Sequence, residues 1–94
     1  MNKGRRLLIS TQRQRSLFIS MLKQLGYLRF VAREYVSLSE VSVSYECMLC
    51  RKVLERRSVV PHFRSEEAHY RAGLEIVQKL INEGEIESPM MLKD

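Results

Sequence analysis

The chain has 94 residues, of which 45% are hydrophobic and 29% are charged, and its formal net charge is +5 at pH 7. This length suits one small domain and the apolar share can form a core, which excludes two independent domains and wholesale disorder. No apolar run approaches the roughly 18 residues of a membrane span, and the apolar stretch near the N-terminus is too short for a signal peptide. We therefore expect an intracellular protein, nuclear if its source is eukaryotic.

The beginning of the chain is strongly basic. Residues 1–33 contain eight lysines and arginines and no acid, whereas residues 34–94 contain eight basic and eleven acidic residues. We predict a flexible basic arm over residues 1–10. Such asymmetry indicates a polyanionic partner, either nucleic acid or an acidic membrane surface, and we favour nucleic acid; the alternative is a solvated face that serves solubility.

A helix is predicted over residues 12–25, capped by Ser10 or Thr11 and stopped by Gly26. Its apolar residues fall on one face at helical spacing. This stripe should pack in the core, although in so small a protein it could instead form the interface of a homodimer. The residues of the stripe are Leu17, Phe18, Met21, Leu22 and Leu25.

The spacing of the apolar residues changes in the middle of the chain. Residues 27–35 have helical spacing of apolar residues but a strand-like composition, so both structures stay open there. Residues 36–39 and 41–45 alternate apolar and polar side chains, which is typical of half-buried strands. Residues 51–54 could form the returning strand of a hairpin.

A long helix is predicted near the C-terminus. Ser65 is its predicted N-cap, followed by acidic residues in the first turn, and the helix should run to about Asn82, with Gly84 ending it. Pro61 marks an irregular stretch or the start of a helix. Residues 85–94 are predicted to be a loose acidic tail. The predicted apolar face of the helix consists of Tyr70, Leu74, Val77, Leu80 and Ile81.

All the cysteines and histidines of the chain lie in one window of 23 residues, as Cys47, Cys50, His62 and His69. Zinc takes four such ligands in a tetrahedron, and a C-x2-C turn supplies two of them. On one unbroken helix the two histidines would lie about 10.5 Å apart along its axis. With Ser65 as the N-cap, one imidazole precedes the helix and the other lies in its second turn, so that both can converge. The alternatives are buried structural cysteines or a redox pair.

Residues 45–50, residues 62–69 and the helix that continues from them resemble the matrin-type, or double-stranded-RNA-binding-type, two-cysteine two-histidine zinc finger. The resemblance covers about residues 43–82. It implies a zinc-organised module of strands and a helix that binds RNA or docks in a ribonucleoprotein, with Cys47, Cys50, His62 and His69 as the zinc ligands.

The sequence thus predicts a single α+β domain over residues 11–84, with an N-terminal helix, a β-hairpin that carries the zinc knuckle and a long C-terminal helix. With both histidines on zinc, no general base of neutral pKa remains, so we expect no catalysis. The expected function is nucleic-acid binding, RNA being favoured and duplex DNA a second option. The alternatives are a zinc-stabilised protein-interaction module and a small viral or archaeal transcriptional regulator. The predicted nucleic-acid contacts are Arg5, Arg6, Arg13, Arg15, Arg51, Lys52, Arg56 and Arg57.

Overall fold

The fold is a small α+β domain, as predicted. The structure is a computed structural model that describes residues 6–7, 9–37, 40–86 and 91–92. A three-residue 3-10 helix, Arg56–Ser58, leads directly into the second α-helix. The elements in chain order are β1 (Arg6–Leu7), α1 (Gln12–Gln24), β2 (Leu28–Ser37), β3 (Glu40–Cys47), β4 (Val53–Glu55), α2 (Val59–Ser65), α3 (Glu67–Asn82) and β5 (Met91–Leu92).

Strands β2, β3 and β4 form an antiparallel sheet in that order. Tyr45 in the central strand pairs with Phe30 on one side and with Leu54 on the other, and the register shifts just after Phe30. The ambiguous residues 27–35 are therefore mostly strand, because long-range pairing with β3 satisfies their backbone groups. Residues 38 and 39 of the predicted strand lie outside the described residues.

Helix α1 begins at the predicted residue and ends at Gln24, one residue before the predicted end. Thr11 is the N-cap: its Oγ accepts a hydrogen bond from the Gln14 N–H (3.1 Å), and the Gln14 side chain accepts one from the Thr11 N–H (3.1 Å). Gly26 follows the helix with a φ of +86°, a left-handed conformation that suits glycine. Most of the apolar stripe packs in the core of the single chain, where Phe18 and Leu22 are fully buried, but Leu25 is 41% exposed.

The core lies between α1, the sheet and the two C-terminal helices. The Phe18 ring meets the Phe63 ring edge-on with 6.2 Å between centroids. On α3 the predicted Val77 and Leu80 are buried, and so is Ile76, which the predicted face omits. The remaining residues of the predicted face are partly buried against this core, and they are Tyr70, Leu74 and Ile81.

The two ends of the described chain meet. Strand β1 pairs antiparallel with β5, so that Arg6 lies opposite Leu92. Ile9 and Ile86 are buried, so the core extends slightly beyond the predicted domain limits of 11 and 84. Most of the predicted arm and of the predicted tail lies outside the described residues. None of the described helices is long and apolar enough to cross a membrane.

Candidate metal centre

The two cysteines lie in the turn between β3 and β4. Cys47 ends β3, and the turn is closed by hydrogen bonds from the Arg51 N–H to the Cys47 carbonyl (2.6 Å) and from the Cys47 N–H to the Lys52 carbonyl (2.8 Å). Arg51 has a φ of +68°, which allows the chain to reverse within so short a segment. The turn carries the thiol of Cys50 back beside that of Cys47, as the predicted knuckle requires.

The two histidines lie on separate helices. The predicted N-cap at Ser65 is wrong: Ser65 is the last residue of α2, and its hydroxyl donates to the His62 carbonyl (2.8 Å). Glu66 has extended backbone (φ −129°, ψ 151°) and is the N-cap position of α3, with no side-chain capping bond. A serine hydroxyl that satisfies a late helix carbonyl favours such an ending.

This helix break brings the histidines together. His62 lies inside α2. His69 is expected in the second turn of the C-terminal helix but lies in the first turn of α3. Their ring centroids are 4.5 Å apart with the rings nearly perpendicular. A continuous helix would separate the two residues by about 10.5 Å along its axis. The convergence predicted from the sequence therefore occurs, but through a second helix and not through an irregular lead.

The four side chains form a compact cluster. One ligand atom from each of Cys47, Cys50, His62 and His69 lies within 4.8 Å of all the others. The Cys50 Sγ and the His62 Nε2 are 3.4 Å apart. Metal bonds of about 2.3 Å to sulfur and about 2.0 Å to nitrogen at a tetrahedral angle imply a separation of about 3.5 Å. The four side chains therefore lie close enough together to hold a metal ion.

Burial within the cluster is graded and affects its protonation. Cys47 and His69 are buried, His62 is half-buried and Cys50 is exposed. Burial raises the pKa of the Cys47 thiol above its ordinary value, an effect that hydrogen bonds from nearby backbone N–H groups partly oppose. Burial, followed by repulsion from His69 and Lys52, lowers the pKa of His62. A lowered pKa favours the neutral imidazole of His62, which is the form that binds metals.

His69 has no hydrogen bond at either ring nitrogen among the described residues, although only 3% of the residue is exposed. The nearest acid is Glu66, whose Oε2 lies 3.8 Å from the His69 Nδ1, too far for a hydrogen bond. A buried polar atom without a partner costs about 1–3 kcal/mol. A metal ion on one nitrogen would remove part of this cost, and Glu66 is the acid nearest to Nδ1. The position of Glu66 beside His69 could be predicted from the sequence only if the first residue of α3 were known.

The ring of Phe63 forms an aromatic wall beside the two histidines. Phe63 is fully buried, and its ring lies 5.7 Å from the His62 ring and 5.4 Å from the His69 ring, between centroids. Because Phe63 also meets Phe18 of α1, the position of the ligands is tied to the packing of the N-terminal helix. The spacing of the ligands in the sequence does not reveal this support.

The predicted nucleic-acid contacts fall into several places. Arg5 lies outside the described residues, and only the backbone of Arg6 is described. Arg13 is exposed and lies 4.0 Å from Glu85. Beside the knuckle, Lys52 is exposed, and Arg51 forms an ion pair with Glu46 (3.4 Å).

The other three predicted arginines line one groove between the start of α1, strand β3 and the 3-10 helix. They are Arg15, Arg56 and Arg57. Arg56 donates to the Ser16 hydroxyl (2.5 Å), and Arg57 forms an ion pair with Glu55 (2.9 Å). The structure thus gathers three of the eight predicted residues in one surface.

No protein-family model, curated protein or solved structure matches this chain. The site is therefore defined by its own geometry: two thiols and two imidazoles of a small α+β domain that lie close enough to hold a metal ion.

Proposed function

We propose that this chain is a non-catalytic zinc-binding protein that binds nucleic acid inside the cell, with RNA favoured over duplex DNA. The observation that carries the proposal is the convergence of Cys47, Cys50, His62 and His69 within 4.8 Å, with the histidines on two different helices. The proposal has two parts, the identity of the metal and the nature of the partner, and each has its own support and its own test.

Zinc is the proposed metal because of the donor set. Two sulfur and two nitrogen atoms in a tetrahedron are typical of zinc in proteins. Four protein ligands leave no position for a reactive water, which is typical of structural zinc and not of catalytic zinc. Structural zinc contributes on the order of 10 kcal/mol of apparent folding free energy. A metal ion at this site would join two helices and a hairpin, and such a link adds rigidity to a small domain.

The charge of the surface supports a nucleic-acid partner. Arg15 and Lys52 have no acidic partner within 4.0 Å in the part of the chain that the structure describes, and both are exposed. Guanidinium groups form paired hydrogen bonds with phosphates, so the arginines of the groove suit a sugar–phosphate backbone. Such contacts provide affinity without sequence information, and affinity should fall as salt rises.

The resemblance to the matrin-type or double-stranded-RNA-binding-type finger supports the choice of RNA. The order of strand, knuckle, returning strand and helix suits such a finger, and the extra short helix that carries His62 is a departure from it. A ribonucleoprotein partner is compatible with the same surface.

The zinc part is tested by native mass spectrometry of the full chain, before and after treatment with a chelator. We expect one zinc ion per chain, lost in Cys50→Ala. Leu49→Ala is the matched control, since Leu49 is an exposed residue of the same turn that offers no ligand atom. A wild-type chain that takes up no zinc from a zinc-containing buffer would refute this part.

The nucleic-acid part is tested by fluorescence anisotropy with duplex RNA, single-stranded RNA and duplex DNA over a range of salt. We expect Arg15→Gln to weaken binding and to reduce the salt dependence by about one phosphate contact. Arg71→Gln is the matched control: it removes the same charge, but Arg71 is paired with Glu67 on α3 (2.7 Å). Absence of binding to all three probes at low salt would refute this part and favour the protein-interaction alternative.

A further inference from the structure

The β2–β3 hairpin carries an exposed aromatic residue on a partly apolar face. Tyr35 pairs with Val41 across the two strands, and Arg33 pairs with Val43. Directly opposite residues of antiparallel strands share one face, as do alternate residues of one strand. Tyr35 is 81% exposed and Val41 is 44% exposed, although buried residues occupy the base of the same hairpin. The outer part of this face is therefore uncovered.

This hairpin face continues into the basic groove. Val41 and Val43 line this groove together with Arg15, Arg56 and Arg57. The groove has a volume of about 590 Å³, a size typical of ligand sites. The uncovered apolar surface and the cationic surface are thus one continuous feature.

The charge of the groove is unbalanced. Three arginines from α1 and the 3-10 helix line it. Arg33 lies next to it, since it pairs across the strands with the lining residue Val43, and its guanidinium is 6.0 Å from the centroid of the Phe30 ring. Glu55 is the acid among the described lining residues, and it is already paired with Arg57. Glu34 is an exposed residue of the same hairpin and is not among the described residues that line the groove. An anionic partner is therefore complementary to this surface.

We propose that the groove binds a single-stranded segment of RNA, with an unpaired base stacked on the Tyr35 ring and phosphates held by Arg15, Arg33 and Arg56. This inference rests on the proposed nucleic-acid function and specifies its ligand. Exposed aromatic rings beside a cationic groove bind single strands, because every unpaired base offers a face for stacking. The bases of a duplex are already stacked on each other and cannot reach the tyrosine.

The side chain of Arg56 is fixed at the groove by a hydrogen bond. Its hydrogen bond to the Ser16 hydroxyl ties the 3-10 helix to α1, so that the guanidinium stays at the edge of the groove. The first turn of α1 contains no acidic residue that would repel a phosphate. The absence of an acid there favours the anionic partner that the surface charge indicates.

The test compares the binding of single-stranded and duplex RNA, each about 12 nucleotides long, to the zinc-loaded full chain by fluorescence anisotropy. The variant Tyr35→Leu keeps an apolar side chain but removes the ring, and the affinity for the single strand should fall about 5- to 150-fold. Tyr35→Phe keeps the ring and should bind as the wild type does. Arg33→Gln should weaken binding and lower the salt slope by about 0.7. Circular dichroism and zinc content should stay unchanged, since Tyr35 is exposed.

The outcomes separate this inference from the proposed function. Equal binding of duplex and single strand, with no effect of Tyr35→Leu, would overturn the groove as a single-strand site while RNA binding itself stands. A wild-type chain that binds neither probe overturns both proposals. Self-association that Tyr35→Leu abolishes, measured by sedimentation without RNA, would show that a second copy covers this face and would also overturn the inference.

Discussion

Replacement of His69 by leucine should have opposite effects on the metal-free and the metal-loaded protein. His69 is 3% exposed, and neither ring nitrogen has a hydrogen-bond partner in the described part of the structure. Each such atom costs about 1–3 kcal/mol, which sets a ceiling of about 2–6 kcal/mol for the ring. Glu66 at 3.8 Å recovers part of this cost by attraction. We therefore expect His69→Leu to stabilise the metal-free protein by about 1–3 kcal/mol.

With zinc the order should reverse. A ligand that binds only the folded state stabilises it by about 4 kcal/mol when its free concentration is a thousand times its dissociation constant. The wild type gains this free energy, and His69→Leu, which lacks one of the four ligands, loses most of it. At such a zinc concentration the wild type should exceed the variant in free energy of unfolding by about 1–3 kcal/mol, the difference between the two effects.

The assay is urea unfolding followed by circular dichroism, once with a chelator and once at a buffered free zinc concentration. His62→Leu is the control variant: it also removes a ligand, but its ring is half-buried and contacts the Cys50 Sγ, so its metal-free gain should be smaller. The reasoning is refuted if His69→Leu destabilises the metal-free protein by more than about 1 kcal/mol. That result would mean that the imidazole has a structural role of its own.

Three further predictions concern the stability of the metal-free protein and of its core. Because the pKa of His62 is lowered from 6.5, the unfolded chain binds the extra proton first, and the free energy of unfolding in chelator should fall as the pH drops below that value. Because the pKa of Cys47 is raised from 9.0, the free energy of unfolding should also fall as the pH rises above that value. A free energy of unfolding that does not change with pH at the acidic or the alkaline end of the series would contradict these expectations. Gly26→Ala should cost about 1–2 kcal/mol in thermal unfolding, from the left-handed backbone alone, since nothing lies within 4 Å of an added Cβ. Phe63→Ala should cost about 3–5 kcal/mol and weaken zinc binding in a chelator competition, and unchanged zinc affinity would show that the aromatic wall does not support the ligands.

The elements with local signals could be predicted from the sequence. Helix α1 is specified by its apolar stripe, by Thr11 with Gln14 at its start and by Gly26 at its end, and all of these act within a few residues. The alternation over residues 41–45 likewise specifies a strand, because a strand with one buried face needs that period. The four residues of the candidate metal centre could be predicted because cysteine and histidine are absent from the rest of the chain.

The structure of residues 27–35 could not be predicted in this way. Their side chains suit a helix and a strand equally, and pairing with β3, in which Leu28 meets Cys47 across the hairpin, decides between the two. The gathering of Arg15 and Arg56 at one groove has the same origin, since 40 positions separate Arg56 from its partner Ser16. Contacts of this kind leave no periodic signal in the sequence.

For the metal centre, the sequence by itself determined which atoms are available: two thiols three positions apart and two imidazoles seven positions apart. Whether those imidazoles can meet depended on the backbone between them, and only the tertiary structure decided it. Glu66 adopts an extended conformation that ends one helix and begins another, and the rings then lie 4.5 Å apart instead of two helical turns apart. The physical reason is that a single residue outside the helical region redirects the chain, and packing around Phe63 holds the new direction.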